Sequence, residues 1–537
     1  MPWRGRFGVA VAFVLLASAG GRTVWGDASP PAAAPAKPAV HPAAKPAARP
    51  TQVKAAAVHV RREIHQLSAP EIDAFRAGVA LMKSRAEKDP TSWAYQANIH
   101  GFPTSGSAVC APPTIPAQTA WATCQHGQFF FTAWHRMYVY YFERILRAAI
   151  REATKDPTYE FSLPYWDYEN ASYHDLPQPF RVPAGNTNSL YVAQRAANCN
   201  SGSVCVDGPT ASAQVALSLT PFCTCPGSSS CCNGCLPGLL PDETFGGQFV
   251  PQPVHYMRAF GELESQPHNV VHDAIGGDTG WMADPDCAAR DPIFWLHHAN
   301  IDRLWQVWLN QGGRLNPINC STWSRTPFTF FDEKGQKVTK TACDILNMVT
   351  QLDYQYDKLP VNNVQLCSTP PVTGAQATTS NAPPKRQLLA ASPKAAVTLG
   401  EAPVKVSVPV APEAKQRFEA LASGGAGGHM RLIIEGLELL HHGAYYRVFL
   451  NLPEGQAPDP AGPYYIGQIS LFGHMGHGEA ASRSFDITKQ VQALRRQGQW
   501  KGNVDLTFVR ANPRQGAEAK AAPQTYMRMG KVSIVER

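Results

Sequence analysis

Apolar and polar positions follow two different periods along this chain. Through the first part of the body the period is helical. Ile72, Phe75, Val79 and Met82 line one face, with Ser68 placed as N-cap and Glu71 three residues on to complete a capping box. A second stripe, Phe131, Tyr138, Val139, Phe142 and Leu146, predicts a strong helix with His135 on its apolar side. A third helix opens at Asp291-Pro292, an N-cap followed by proline at the first helical position, and carries Phe294, Ile301, Trp305 and Trp308 on one stripe. Towards the C-terminus the period becomes two, and residues 431–437, 446–452, 464–471, 504–509 and 531–535 alternate as strands do. The fold class this predicts is a mainly α body followed by an all-β sandwich or jelly-roll-like tail.

Three stretches carry neither period. Residues 1–26 place Arg4 and Arg6 before the apolar run from Phe7 to Ala19, with small residues after it, which is the pattern of a secretory signal. The run is shorter than the ~20 apolar residues of a membrane span, although a retained anchor is the competing reading. No later segment is long and apolar enough to span a bilayer, so the expectation is an exported protein, periplasmic or secreted, with no stable membrane anchor. Residues 27–57 are almost all Ala, Pro and Lys and predict a semi-extended tether. Residues 368–403, rich in Pro, Ala and Thr and containing Lys385-Arg386, predict a second linker. The domains between and after them are 58–367 and 404–537.

Composition narrows the function classes. Lys and Arg number 48 against 41 Asp and Glu, for a net charge of +7, and the excess is spread without a basic block, so no nucleic-acid partner is expected. Thirteen cysteines are many for a reducing compartment, and the odd number leaves at least one sulfur outside intramolecular disulfides. Cys199, Cys205, Cys223, Cys225, Cys231, Cys232 and Cys235 crowd into an insertion at 199–240 that has no core-forming pattern. Disulfides are their expected state after export, and a soft thiolate site for Cu(I) is the alternative.

The histidines cluster at metal-ligand spacing. His126 lies nine residues before His135, which puts the two on opposite sides of a continuous helix at ~100° per residue, so both can face one metal only if His126 sits on a loop entering the helix. With His100 upstream they form a plausible trigonal nitrogen site. Downstream, His268 and His272 are spaced i, i+4, within reach of one cation. On the following helix His298 shares the apolar stripe and is read as the inward ligand, with His297 as a supporting donor; the reverse assignment stays open. Two clusters of three imidazoles, with no carboxylate at ligand spacing, point to two copper ions. A zinc hydrolase would want Glu where this chain has Asn269, and hard cations would want oxygen ligands.

The segments from His126 to Arg136 and on to Leu146, His268-Asn-Val-Val-His272, and Asp291-Pro-Ile-Phe-Trp-Leu-His297-His298-Ala-Asn-Ile-Asp302, with Leu163-Pro-Tyr-Trp-Asp167 between them, resemble the tyrosinase, catechol oxidase and hemocyanin family of type 3 copper proteins, and among these the polyphenol oxidases most. The resemblance implies a four-helix bundle around a dicopper centre, with His100, His126 and His135 on one copper and His268, His272 and His298 on the other, supported by His297 and Asp302. It implies an enzyme that takes dioxygen as co-substrate, oxidises small o-diphenols to o-quinones and, in tyrosinases, hydroxylates monophenols. It further implies a thioether from Cys124 to His126, against which a Cys124–Cys110 disulfide is the alternative. It also implies a water held by Glu264 and Asn269 that takes the proton of an incoming phenol. The aromatic gate that many plant relatives carry thirteen positions before the last ligand is replaced by Pro285, with Met282 nearby, and Ala133 stands where many have Pro.

Residues 328–356 resemble the segment that closes plant polyphenol oxidase catalytic domains. The β tail resembles their C-terminal domain, which covers the active site and keeps the enzyme latent until a protease acts, here at Lys385-Arg386. His474, Met475 and His477 are candidates to touch copper, with a surface loop as the plainer reading. A hemocyanin-like oxygen carrier, which shares all six ligands, is the alternative from another class.

Overall fold

The structure is a computed structural model describing residues 58–104, 109–225, 232, 234–367, 386–393, 396–425, 427–473, 480–500, 502–514 and 524–537. The body begins with β1 (His59–Arg61), followed by α1 (Ala69–Ser84), α2 (Trp93–His100) and the long α3 (Phe131–Thr154). The capping box starts α1 as expected, with the Glu71 carboxylate accepting from Ser68 N at 2.8 Å and Ser68 Oγ at 2.7 Å. Nearly every residue of α3 from Phe131 to Leu146 is buried, because α1 packs on one side of it and the later helix Ile293–Asn310 on another.

The insertion holds three short helices, α4 (Ala197–Ser201), α5 (Gly208–Ala211) and α6 (Gln214–Ser218), and the strands β2 (Cys223–Cys225) and β3 (Cys235–Pro237). It has no core of its own, but Val206, Ala211, Ala213, Ala216 and Phe222 are buried in the core of the body, a contribution its composition conceals. Disulfides pin it: Cys199–Cys205, Cys223–Cys235 and Cys232–Cys320, with Cys225 also disulfide-bonded. These sulfurs are therefore not thiolates for Cu(I). Cys110 pairs with Cys287, which overturns the Cys110–Cys124 alternative, and Cys343 pairs with Cys367.

The body continues with α7 (Val270–Gly276), α8 (Ile293–Asn310), α9 (Ser321–Arg325), β4 (Phe328–Phe331), β5 (Lys337–Lys340), α10 (Met348–Leu352) and β6 (Tyr354–Tyr356). β6 pairs in parallel with β1, joining the two ends of the body. Under that seam lies a buried ionic knot. Asp302 of α8 accepts from Arg136 Nε at 2.5 Å, Arg61 at 3.3 Å, Tyr354 Oη at 2.6 Å and Tyr356 Oη at 2.7 Å, while Arg61 also bonds Glu143 at 2.7 Å. Asp302 thus clamps α8 to α3 one residue from His135. Removing one member of such a knot leaves an uncompensated buried charge, at a cost of about 3–5 kcal/mol.

The tail contains β7 (Gln387–Ala391), β8 (Val397–Leu399), β9 (Val404–Ser407), α11 (Lys415–Ala422), β10 (Met430–Leu439), β11 (Tyr446–Leu450), β12 (Tyr465–Ile469), β13 (Ala481–Asp486), α12 (Thr488–Arg496), β14 (Asp505–Arg510), β15 (Met527–Met529) and β16 (Val532–Glu536). A six-stranded sheet runs β7-β16-β10-β15-β8 with β13 also on β10, and a four-stranded sheet runs β12-β11-β14-β9. Leu432, Ile434, Val448, Phe449, Phe508 and Met527 lie in the core they share. Gly436, at φ 72°, allows the bulge between Glu435 and Leu437 where β10 meets β13.

The expected linker at 368–403 needs correction. β7 and β8 fall inside it and pair with β16 and β15, and Leu389 and Ala390 are fully buried. A Pro/Ala/Thr-rich average hides a five-residue run that completes a sheet. All described residues belong to one compact unit, Ala56–Arg537, and none of its described helices is long and apolar enough to cross a membrane.

Candidate metal centre

Three elements bring the first cluster together. His100 ends α2, His126 lies on the loop before α3, and His135 is on the second turn of α3, so the loop geometry that the nine-residue spacing demands is present. Their ligand atoms lie within 4.8 Å of one another, as do those of His268, His272, His297 and His298 in a second cluster. His268 sits in the irregular turn Glu264–Asn269 leading into α7, where Gln266 is extended, and His272 is on α7 itself. The clusters face each other: the His135 and His298 rings stack at 4.5 Å and 11°.

Outer hydrogen bonds set which nitrogen points inward. Nδ1 of His100 donates to Pro285 O (2.9 Å), that of His135 to Phe131 O (2.8 Å), that of His268 to Asn269 Oδ1 (2.8 Å) and that of His272 to Met282 O (2.7 Å). With the proton held on Nδ1, each Nε2 presents a lone pair. Nε2 of His100, His126, His135 and His268 is buried with no partner, and His272 Nε2 and His298 Nε2 face each other at 3.4 Å. Burial drives all six imidazoles to the neutral form. His100 and His268 fall to about 3, and His126, His135, His272 and His298 fall well below the ordinary value, with neighbouring imidazoles adding to burial at these four. Six neutral, buried, converging imidazoles without a carboxylate among them fit a pair of transition-metal ions.

His297 joins the second cluster as well. Its ring lies flat against His268 at 5.2 Å, its Nδ1 is 3.2 Å from Tyr168 Oη, and its Nε2 is buried without a partner. His298 is the residue that opposes both His272 and His135.

Glu264 is buried, and both its carboxylate oxygens accept from Gly127 N, at 2.9 and 3.0 Å. Burial pushes its carboxyl well up, with the Gly127 N–H opposing. Gly127 has φ 67°, and a Cβ there would stand 2.1 Å from Met257 O, so this position beside His126 requires glycine. Asn269 turns its oxygen to His268 and keeps its buried Nδ2 unpartnered. Cys124 is the one free cysteine among the described residues, and its Sγ is 3.2 Å from His126 Nδ1.

Other contributors carry no signal in the sequence pattern. Tyr256 stacks on His126 at 5.4 Å and its Oη accepts from Cys124 Sγ at 3.7 Å, and the His255 Nδ1 atom is 3.6 Å from the same sulfur. Phe472, just beyond β12, stacks face to face on His272 at 3.8 Å and 11° and also approaches His268 and His126. Met282 and Pro285 act through their carbonyls on the His272 and His100 rings, and the side chain of Phe472 lies across the two clusters. His474, Met475 and His477 lie outside the described residues.

Comparison with known proteins agrees with this chemistry. The family model for the common central domain of tyrosinase matches residues 90–236 and 246–311, that for the polyphenol oxidase middle domain matches 320–366, and a domain of unknown function, DUF7868, matches 385–537. Tyrosinase HcTyr1 of Hahella sp. (strain CCB-MM4) is 29% identical over 88% of this chain and 98% of its own length. Polyphenol oxidase A1, chloroplastic, of Vicia faba is 28% identical over 57% of this chain, which spans about half of that protein (48%). Among solved structures, latent aurone synthase (22% identity, TM-score 0.55, 90% of each chain) and latent apple tyrosinase (21% identity, TM-score 0.55, 89% of this chain and 97% of that one) share the fold. The chain carries matches to the common central domain of tyrosinase and to the polyphenol oxidase middle domain, and these matches with its relatives support a type 3 copper tyrosinase or polyphenol oxidase and an oxidoreductase. Its paired histidine clusters fit the binuclear copper site of that family.

Proposed function

We propose that this protein is an exported dicopper phenol oxidase that uses dioxygen to oxidise o-diphenols to o-quinones and also hydroxylates monophenols, and that residues 387–537 hold it latent. The observation that carries the reading is the convergence of six neutral imidazoles in two facing clusters. His100, His126 and His135 would hold one copper and His268, His272 and His298 the other, on helices that form a four-helix bundle. When bound, the copper pair supplies the dioxygen chemistry. The chain's own residues orient the site, exclude water and handle protons. A thioether from Cys124 to the His126 ring would fix the loop ligand, and tryptic peptides of copper-loaded protein would be lighter by two hydrogens. Glu264 and Asn269 flank His268, and the Glu264 carboxylate would serve as the general base. A water shared by its carboxylate and the Asn269 amide would take the phenolic proton.

Latency rests on Phe472, which lies where a phenol ring would approach the second copper. Supplying copper and dioxygen and assaying catechol tests the enzyme reading: o-quinone formation supports it, whereas dioxygen binding without quinone would favour the hemocyanin-like carrier. Residues 1–26 are proposed as the export signal, since the body is built on disulfides that persist in an oxidising compartment. A protease acting at Lys385-Arg386 is proposed as the activating partner, and Arg386 is exposed at the start of β7.

A further inference from the structure

His100 and His272 belong to different clusters, yet both hang from one short segment. Their Nδ1 atoms donate to the carbonyls of Pro285 and Met282, three residues apart. The segment begins as the turn Trp281–Ala283 and continues through buried Asp284 and Pro285. It is wedged between the ends of the two ligand helices. A Cβ on Gly276 at the end of α7 would stand 2.2 Å from Ala283 N, and one on Gly101 after α2 would stand 2.9 Å from Pro285 O. Three ties fasten it to three consecutive residues of the body: Trp281 Nε1 donates to Val109 O (3.1 Å), Cys287 is disulfide-bonded to Cys110, and Arg290 donates to Ala111 O (2.6 Å).

We propose that the segment 281–290, stapled to 109–111 through Cys110–Cys287, is a shared positioning element that sets one imidazole of each metal cluster, so that both metals are retained or lost together through a disulfide that touches neither. The inference rests on the reading of His100 and His272 as ligands. An imidazole that loses the acceptor for its Nδ1–H is free to turn its Nε2 away, and loss of such an outer partner weakens metal affinity about ten- to a hundredfold. Here two ligands, one per metal, lose that support in a single event. Copper retention then follows the oxidation of one cysteine pair, and the chain keeps its metals only where that pair is closed.

The test is copper content under competition. The paired variant Cys110→Ser/Cys287→Ser, the control pair Cys343→Ser/Cys367→Ser and the unaltered chain are loaded with copper and dialysed against graded chelator. Copper per chain is counted by mass spectrometry, with near-ultraviolet circular dichroism to follow folding. The expected result is that the unaltered chain and the control keep two coppers, whereas the Cys110/Cys287 variant drops from two to none at about tenfold less chelator, without a plateau at one. Retention equal to the control, or loss of a single copper, overturns the proposal. Should the paired variant fail to fold, Trp281→Phe removes only the indole donor: a smaller paired loss supports the proposal, and unchanged retention overturns it. An unaltered chain that never binds two coppers refutes the underlying ligand reading instead, which is a different outcome.

Discussion

The body and the tail of this molecule are held by different chemistry. All thirteen cysteines lie at or before residue 367, and the disulfides Cys110–Cys287, Cys199–Cys205, Cys223–Cys235, Cys232–Cys320 and Cys343–Cys367 staple the body around the histidine clusters. The tail has no cysteine, and the charged contacts joining it to the body set arginines against carboxylates. Arg483 bonds Glu262 at 2.9 Å and Asp242 at 3.2 Å, Arg431 bonds Glu243 at 2.6 Å, and Arg447, Arg510 and Arg537 reach Asp207, Asp278 and Glu243. Every acid in these pairs comes from the body and every base from the tail. On the proposed function the contrast has a purpose: the frame of the metal centre would be held covalently through turnover, and a cover that leaves would be attached by contacts that exchange for water.

Acid should separate the two regions first. In metal-free protein the depressed imidazoles take up protons far more readily when unfolded, so stability is intact above the ordinary histidine value of about 6.5 and is lost as pH falls below it towards about 3. At pH 5, His100 and His268 alone cost the body about 2 kcal/mol each. Thermal melts of metal-free protein at pH 7.5 and 5 check this, with copper loading expected to abolish most of the difference. Arg483→Gln attacks the other side of the contrast. It leaves buried Glu262 and Asp242 without their shared cation, at about 3–5 kcal/mol. After cleavage at Arg386 the unaltered halves should still co-elute in gel filtration, and those of the variant should separate.

Two substitutions act at the point where the body and the tail meet. Phe472→Ala should raise catechol oxidation by the intact chain roughly tenfold, equivalent to about 1.4 kcal/mol of relieved obstruction, and leave co-elution after cleavage unchanged. Glu264→Gln, assayed in chain freed of residues 387–537, should lower the ratio of monophenol hydroxylation to diphenol oxidation without changing copper content, because the proposed role of its water is to take the proton of an incoming monophenol.

The parts of this arrangement readable in the sequence are those whose signal is local. Ser68 and Glu71 announce α1 from three residues apart, and His268 and His272 announce a site from four. His126 and His135 required a loop between them, and the loop is there. What escaped is contact across long separations made by groups with no pattern: the carbonyls of Met282 and Pro285, the stacking of Tyr256 on His126, Phe472 on His272, and Arg483 seated between Asp242 and Glu262. A carbonyl has no residue identity to read, and a lone phenylalanine in a strand-rich tail looks like core. β7 and β8 were hidden for the opposite reason, since their few apolar residues sit in a composition that reads as linker.

The most direct test of the account is the rate of o-quinone formation from catechol by copper-loaded protein before and after residues 387–537 are cleaved and stripped away, with copper per chain measured on the same samples. Two coppers per chain in both states and a rate at least about tenfold higher once Phe472 is gone are expected. An unchanged rate at unchanged copper content would contradict it.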